Sequence, residues 1–145
     1  MNTFEWDDRY LLGYNAMDDT HREFVDCVHA LLTVGDADFL AALDAFADHA
    51  ERHFSQEDEW MSQDGFPARD CHVEEHDKVL QSVREVRQGL IEGSLGIEVG
   101  RDLAQALVDW FPGHADYMDS ALANWLVKRA HDGSPLVLRR KKPGD

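Results

Sequence analysis

The segment between Phe39 and Trp60 places its inward-facing residues in alternating steps of four and three, at positions 39, 43, 46, 50, 53, 57 and 60. This spacing is typical of the buried face of an α-helix in a bundle. Two polar residues, His53 and Glu57, occupy this face where apolar residues are expected. Because a buried polar group without a partner costs on the order of several kcal/mol, we expect both side chains to share a partner. A metal ion bound by both side chains is the simplest such partner.

Further segments carry polar donors at helical spacing. His72 and His76 are four residues apart, so both lie on the same face of a helix. His21 begins another helical face, which continues with apolar residues. The candidate metal ligands are therefore five imidazoles and two carboxylates: His21, His53, Glu57, His72, His76, His114 and Asp119.

The last pair of donors, His114 and Asp119, has a different spacing. The two residues are five apart, which is a poorer match to a single helical face. An irregularity at Pro112-Gly113, or the reach of a bridging carboxylate, would absorb the difference. Proline inside a helix removes one backbone hydrogen bond and clashes with the preceding turn, so we expect a kink directly before His114.

The composition indicates one folded domain with an acidic surface. The chain has 145 residues, of which 43% are hydrophobic, and a formal net charge of −15, which disfavours nucleic acid and anionic membranes as partners. No apolar stretch approaches the ~20 residues that span a bilayer, and no secretory signal is visible. Two cysteines fit reduced thiols in a cytoplasmic protein.

Turn residues divide the chain into an arm, four helices and a tail. Gly35, residues 64–67 and residues 93–96 separate the helices, and Asp18 is a good helix-capping or first-turn residue. Short turns predict an all-α, up-down-up-down antiparallel four-helix bundle. We expect residues 1–131 to form this domain and residues 132–145 to form a basic tail. The expected ranges are 1–17 for the arm and about 18–34, 36–62, 68–91 and 97–130 for the helices.

Seven donors are more than one four-coordinate zinc ion uses. Two ions that share two bridging carboxylates would receive three nitrogens and two nitrogens, respectively. With a solvent-derived bridge, the first ion becomes six-coordinate and the second keeps a vacancy for a small diatomic ligand. Imidazole and carboxylate ligands without thiolate suit iron. The alternative, that these are ordinary core residues, requires seven coincidences on four helices.

The order of these donors resembles the hemerythrin family in its single-domain bacterial form. The resemblance covers nearly everything from the N-terminal arm to the end of the fourth helix. The four-part pattern is much more specific than any single pair of histidines. It reads His21, then His53-x-x-x-Glu57, then His72-x-x-x-His76, then His114-x-x-x-x-Asp119.

Residues that flank the donors support the same resemblance. The chain departs from many relatives at Thr20, where glutamine is common, and at Pro112-Gly113, which relatives usually lack. The first departure lies next to His21, near the metal position that keeps a vacancy. The second lies directly before His114 and affects the geometry of that donor. The flanking residues that agree are Trp6, Gly13, Asp18-Asp19-Thr20, Phe54, Gly65-Phe66-Pro67 and Trp110.

The resemblance implies a non-haem diiron centre with an oxo or hydroxo bridge. It also implies reversible binding of O2 at the iron that keeps an open position. By the same resemblance, His72, His76 and His114 would hold the first iron, His21 and His53 the second, and Glu57 and Asp119 would bridge both.

Several functions stay open at this point. The first expectation is a reversible O2 binder that acts as a carrier, store or delivery protein and not as an enzyme. A second is an O2 or redox sensor, for which the basic tail is the only candidate output. A diiron enzyme acting on peroxide or nitric oxide is disfavoured, because diiron oxidases use four carboxylates and two histidines. A dizinc hydrolase needs a general base, and none stands out.

Other residues near the donors have less specific roles. We expect His49 to be a surface or outer neighbour that could replace a ligand, His29 to be structural, and His131 to complement a helix dipole. Cys71 lies about 100° off the ligand face, and Cys27 is expected to be a buried thiol. The residues expected either to line an apolar pocket at the open iron or to pack in the core are Phe24, Val25, Val28, Trp110 and Met118.

Overall fold

The computed structural model describes residues 3–130, and this part of the chain is helical without a strand. A short 3₁₀ turn at Asp8–Tyr10 lies in the N-terminal arm. The last three helical elements are continuous and form a single fourth rod. The elements are α1 (Asn15–Thr33), α2 (Asp36–Asp64), α3 (Arg69–Glu92), α4 (Ile97–His114), a π-helical segment (Ala115–Asp119) and α5 (Ser120–Ala130).

The four rods form the predicted all-α four-helix bundle. The first rod packs against α2 and α4, and α3 packs against the same two neighbours, so the rods enclose a common interior. Glycines end two of the helices in the left-handed conformation, with φ of 64° at Gly65 and 80° at Gly93. Glycine adopts this conformation without the steric cost that a Cβ atom brings.

Asp18 is a first-turn residue, as expected, but it does not cap the helix. The helix α1 begins at Asn15, three residues before the predicted start. The buried Asp18 carboxylate instead accepts hydrogen bonds from the backbone N–H groups of Leu12 (2.8 Å) and Gly13 (3.1 Å). The first of these donors is buried and the second is partly buried, so Asp18 fixes the end of the arm to α1.

The N-terminal arm packs across the bundle. The ring of Phe4 lies edge-on to Phe111 at 6.0 Å, and Tyr10 lies edge-on to the same ring at 5.3 Å. The backbone N–H of Phe4 donates to Nδ1 of His29 at 3.2 Å, which supports the structural role expected for this histidine. The arm therefore covers the part of the fourth rod that precedes His114.

The fourth rod does not end at Pro112. The α-helix continues through this residue, and the irregularity follows it as the π-helical segment Ala115–Asp119. The backbone N–H of Ser120 donates to the carbonyl of Ala115, five residues earlier. This wider turn brings residues five apart onto one face, which is the spacing of His114 and Asp119. The poor match of this pair to a regular helix is thereby explained.

The candidate donors lie between two apolar clusters. On α1, His21 stands between Met17 of the smaller cluster and Phe24 of the larger one. On the fourth rod, Ala115 belongs to the larger cluster and Leu122 to the smaller one, on either side of Asp119. The bundle therefore holds one polar layer inside an otherwise apolar interior.

Some expectations fall outside the described residues or need correction. The basic tail 132–145 and His131 lie outside the described residues. No helix among residues 3–130 is long and apolar enough to cross a membrane. Cys27 was expected to be buried, which is wrong: it is half-buried on α1, and Cys71 is exposed.

Replacing Asp18 with alanine should destabilise the protein by about 1–3 kcal/mol, because two backbone N–H groups lose a charged acceptor inside the fold. The matched control is Asp19→Ala, since Asp19 is exposed on the same turn. Urea denaturation monitored by circular dichroism measures both variants. Equal stability of the two variants would contradict the role assigned to Asp18.

Candidate metal centre

The seven donors predicted from the sequence meet at one level of the bundle interior. All seven are buried, and none is more than 5% exposed. Each rod supplies at least one of them, so the site exists only when the whole bundle is folded. α1 supplies His21, α2 supplies His53 and Glu57, α3 supplies His72 and His76, and the fourth rod supplies His114 and Asp119.

Five of the donors form what we call the three-histidine group: His72, His76, His114, Glu57 and Asp119. Their ligand atoms all lie within 4.8 Å of one another. Oε1 of Glu57 is 3.3 Å from Nε2 of His72 and 3.2 Å from Nε2 of His76. Oδ1 of Asp119 is 2.9 Å from Nε2 of His72 and 3.2 Å from Nε2 of His114. One ion at the centre of this group would meet three nitrogens and two oxygens.

The two-histidine group consists of His21, His53 and Glu57. Here Oε2 of Glu57 lies 2.7 Å from Nε2 of His53 and 3.8 Å from Nε2 of His21. Asp119 also contacts this group, because its Oδ2 lies 2.9 Å from Nε2 of His21. Each carboxylate therefore presents one oxygen to the three-histidine group and its other oxygen to the two-histidine group.

The inward atoms fit a cation better than they fit one another. One inward pair, Nε2 of His53 and Oε2 of Glu57, lies at a hydrogen-bond distance of 2.7 Å, whereas most of the other inward atoms lack hydrogen-bond geometry among the described residues and face a shared space. Two carboxylates among imidazoles, shielded from water, would be stabilised by positive ions there. The buried atoms without a hydrogen-bond partner are Nε2 of His21, His72, His76 and His114, Oε1 of Glu57 and Oδ1 of Asp119.

Protons take the place of positive ions in the metal-free protein. Burial alone would lower the pKa of His21, but contacts with Asp119 and Glu57 outweigh it and raise the pKa to about 10. The same balance raises the pKa of His72 to about 9. Burial would raise the pKa of Glu57, but His53, His21 and His72 hold it well below the usual value. The site therefore favours ionised carboxylates and attracts cations.

Aromatic rings hold the imidazoles in place from outside. The ring of Phe54 stacks on His76 at 4.0 Å with an interplanar angle of 5°. The ring of Trp110 stacks on His114 at 4.2 Å and 20°. Sequence analysis missed the contact of Phe54, although this residue directly follows a donor, because facing helices determine which ring meets which.

The apolar surroundings of the two-histidine group agree in part with expectation. Phe24, Val25 and Val28 are fully buried, and Phe24 lies edge-on to His53 at 6.3 Å. Phe111, which was not predicted, lies edge-on to His21 at 5.2 Å.

The other two expected pocket residues lie elsewhere. Trp110 borders the three-histidine group through its stacking on His114. Met118 is half-buried on the π-helical segment. The apolar neighbours of the two-histidine group therefore come mainly from α1 and α4.

His49 is an outer neighbour of the two-histidine group. It is buried and belongs to neither group of converging donors, so of the two expected alternatives, a surface residue or an outer neighbour, the structure agrees with the second. Its ring lies 5.5 Å from that of His53, and its Nδ1 is 3.5 Å from Oε2 of the exposed Glu23. Burial, and to a smaller extent the electrostatic effect of the neighbouring His53, lower the pKa of His49 to about 4.

Comparison with known proteins gives one consistent family. Residues 12–126 match the sequence model described as the hemerythrin HHE cation binding domain. A bacteriohemerythrin from Ralstonia nicotianae is 39% identical over 132 residues, which cover 91% of this chain and 95% of the relative. A bacteriohemerythrin from Stenotrophomonas maltophilia is 25% identical over 123 residues, covering 82% and 78% of the two chains.

Solved structures show the same fold. The crystal structure of wild-type hemerythrin has a TM-score of 0.77 and 23% identity, and the alignment covers 85% of this chain and 97% of that chain. A point mutant of hemerythrin gives the same TM-score and identity with 86% and 97% coverage.

The bundle and its buried donors define a class of helical proteins that hold cations through imidazole and carboxylate groups. Because the family match spans most of its length, the chain belongs to the hemerythrin family. Membership supports binding of non-haem iron and of oxygen in general terms, and family members are generally not enzymes. The two converging donor groups show that this chain can hold metal.

Loading the protein with Fe(II) at neutral pH should release at least about two protons, because His21 and His72 are protonated in the metal-free state and must bind through deprotonated nitrogen. Fewer protons should be released as the pH rises through 9–10, where these imidazoles lose their protons beforehand. Titration calorimetry in buffers of different ionisation enthalpy measures the number. A heat that does not depend on the buffer would contradict this assignment.

Proposed function

We propose that the protein binds O2 reversibly at a non-haem diiron centre and acts as an oxygen carrier, store or delivery protein. In this proposal the three-histidine group holds the first iron and His21 and His53 hold the second. Glu57 and Asp119 bridge both. The observation that carries the proposal is the division of oxygens, in which each carboxylate presents one oxygen to each histidine group.

The numbers of donors make the two positions inequivalent. The three-histidine group offers three nitrogens and two oxygens, and the other position offers two nitrogens and two oxygens. With one shared solvent-derived ligand, the first position would supply six donors and the second five. The second position, at His21 and His53, would therefore be the one left with room for a diatomic ligand.

The chain's own residues favour binding over oxidation. When bound, the two irons would supply the electrons for reversible O2 binding. Phe24 and Phe111 place apolar rings beside the two-histidine group, which keeps water and its protons away. Five neutral imidazoles against two carboxylates give the ions fewer anionic ligands than diiron oxidases have, so high-valent iron is stabilised less.

The same proposal covers location and partners. The two cysteines are unpaired, as expected for thiols in a reducing cytoplasm. O2 is the small-molecule partner, and the net charge of −15 gives no support for nucleic acid as a partner.

The iron-loaded, reduced protein should develop a visible charge-transfer absorption when it is exposed to O2, and flushing with inert gas should remove it. Repeated cycles recorded on one sample measure reversibility, and the metal-free protein is the control. Bleaching without recovery, with release of peroxide, would contradict the carrier proposal and favour a diiron enzyme or a redox sensor.

Replacing His21 with alanine should remove iron from the two-histidine group in preference to the three-histidine group, because His21 is a donor of the two-histidine group and not of the other. Iron content together with Mössbauer spectroscopy distinguishes the two positions. The matched control is His29→Ala on the same helix, since the His29 side chain accepts a hydrogen bond from the arm and belongs to neither donor group. Equal loss of both irons in the His21 variant would count against the proposed division of ligands.

A further inference from the structure

One imidazole of the site has a carboxylate on its outer nitrogen. Oδ1 of Asp58 lies 3.0 Å from Nδ1 of His76, within hydrogen-bond distance. Asp58 is on α2 and directly follows Glu57, whereas His76 is on α3. Glu57 faces Nε2 of His76 at 3.2 Å from the inner side. The imidazole is therefore held between two carboxylates of α2, one at each nitrogen.

The other four imidazoles lack this arrangement. Among residues 3–130, Nδ1 of His21, His53, His72 and His114 is buried without a hydrogen-bond partner. Glu75 comes near one of them, since its Oε1 lies 3.9 Å from Nδ1 of His114, but this oxygen accepts a hydrogen bond from Trp110. The anchored imidazole therefore belongs to the three-histidine group.

The face of the same ring is also fixed. Phe54 stacks on it at 4.0 Å with nearly parallel ring planes, so the ring cannot tilt without losing this contact. The side chain of Asp58 is 31% exposed, so solvent screens its charge in part. The hydrogen bond should therefore matter more than the charge alone.

We propose that Asp58 is a positioning residue that accepts the Nδ1 proton of His76, directs Nε2 toward the three-histidine position, and thereby retains the metal ion there. This inference rests on the proposed function, since it assumes that the three-histidine group holds an ion. An outer carboxylate on a metal-binding imidazole fixes its tautomer and raises its basicity as a ligand. Removing it loosens the ion that this imidazole binds and leaves the other ion in place.

The test uses the full chain loaded with two equivalents of Zn(II), which is diamagnetic and needs no oxygen chemistry. Asp58→Leu removes the acceptor, and Asp58→Asn keeps an oxygen acceptor but removes the charge. The matched control is Asp77→Leu, because Asp77 is exposed and adjoins His76 without contacting its ring. Transfer of zinc to a coloured chelator measures the release rate of each ion.

In Asp58→Leu, one of the two zinc ions should leave about 10–100-fold faster than in the unaltered chain. Asp58→Asn should recover much of the slow release, and Asp77→Leu should behave as the unaltered chain does. Long-range proton–nitrogen NMR should show a slowly exchanging proton on Nδ1 of His76 in the unaltered and Asp77→Leu proteins. That signal should be lost in Asp58→Leu.

Unchanged zinc release in Asp58→Leu would overturn the positioning role, as would equal acceleration of both ions in all three variants. Either result leaves the proposed function intact, because the unaltered chain would still hold two ions. The opposite combination is also distinguishable. If the iron-loaded chain does not bind O2 reversibly, the proposed function is rejected. If one zinc ion still leaves faster in Asp58→Leu, the positioning role of Asp58 is supported.

Discussion

The structure depends on two carboxylates, Glu57 and Asp119, buried among five imidazoles in the interior of the bundle. Each acid is only 1% exposed, and each contacts at least three histidines. An unpaired carboxylate at such a position would be strongly destabilising, so these contacts set how the four rods must be arranged. The raised pKa values of His21 and His72 favour protons as the compensating charge in the metal-free protein, and metal ions would take that role in a loaded protein.

The fourth rod shows how a local irregularity serves this arrangement. In a regular α-helix, His114 and Asp119 would point to different faces, because a separation of five residues is well over one turn of about 3.6 residues. The π-helical segment between them widens the turn, and Nε2 of His114 comes to 3.2 Å from Oδ1 of Asp119. Since π-helical turns are rare and cost stability, this one is best explained by the contact that it makes possible.

Five of the seven donors could be predicted from the sequence because they occupy positions that repeat every three or four residues, which is a local property of each helix, whereas His114 and Asp119 were recognised from the order of donors that the family shares. The contacts that Asp58, Phe54 and Phe111 make with imidazoles could not be predicted, because these residues flank the repeat. Whether a flanking side chain meets an imidazole depends on the rotation of the facing helix, which no single segment encodes. The same reasoning placed an irregularity near His114 but could not distinguish a proline kink from a π-helical turn.

In the proposed diiron centre, the two metal positions would differ in their surroundings as well as in their number of donors. The three-histidine group has stacked rings on His76 and His114 and a carboxylate on the outer nitrogen of His76, whereas the outer nitrogens of its other two histidines lack a partner among the described residues. The two-histidine group has edge-on phenylalanines, and both of its outer nitrogens lack such a partner. Rigid ligands suit an ion whose coordination is complete, whereas a ligand-binding ion must adjust as its coordination number changes. In this proposal the packing therefore favours the same side for the vacancy as the donor count does.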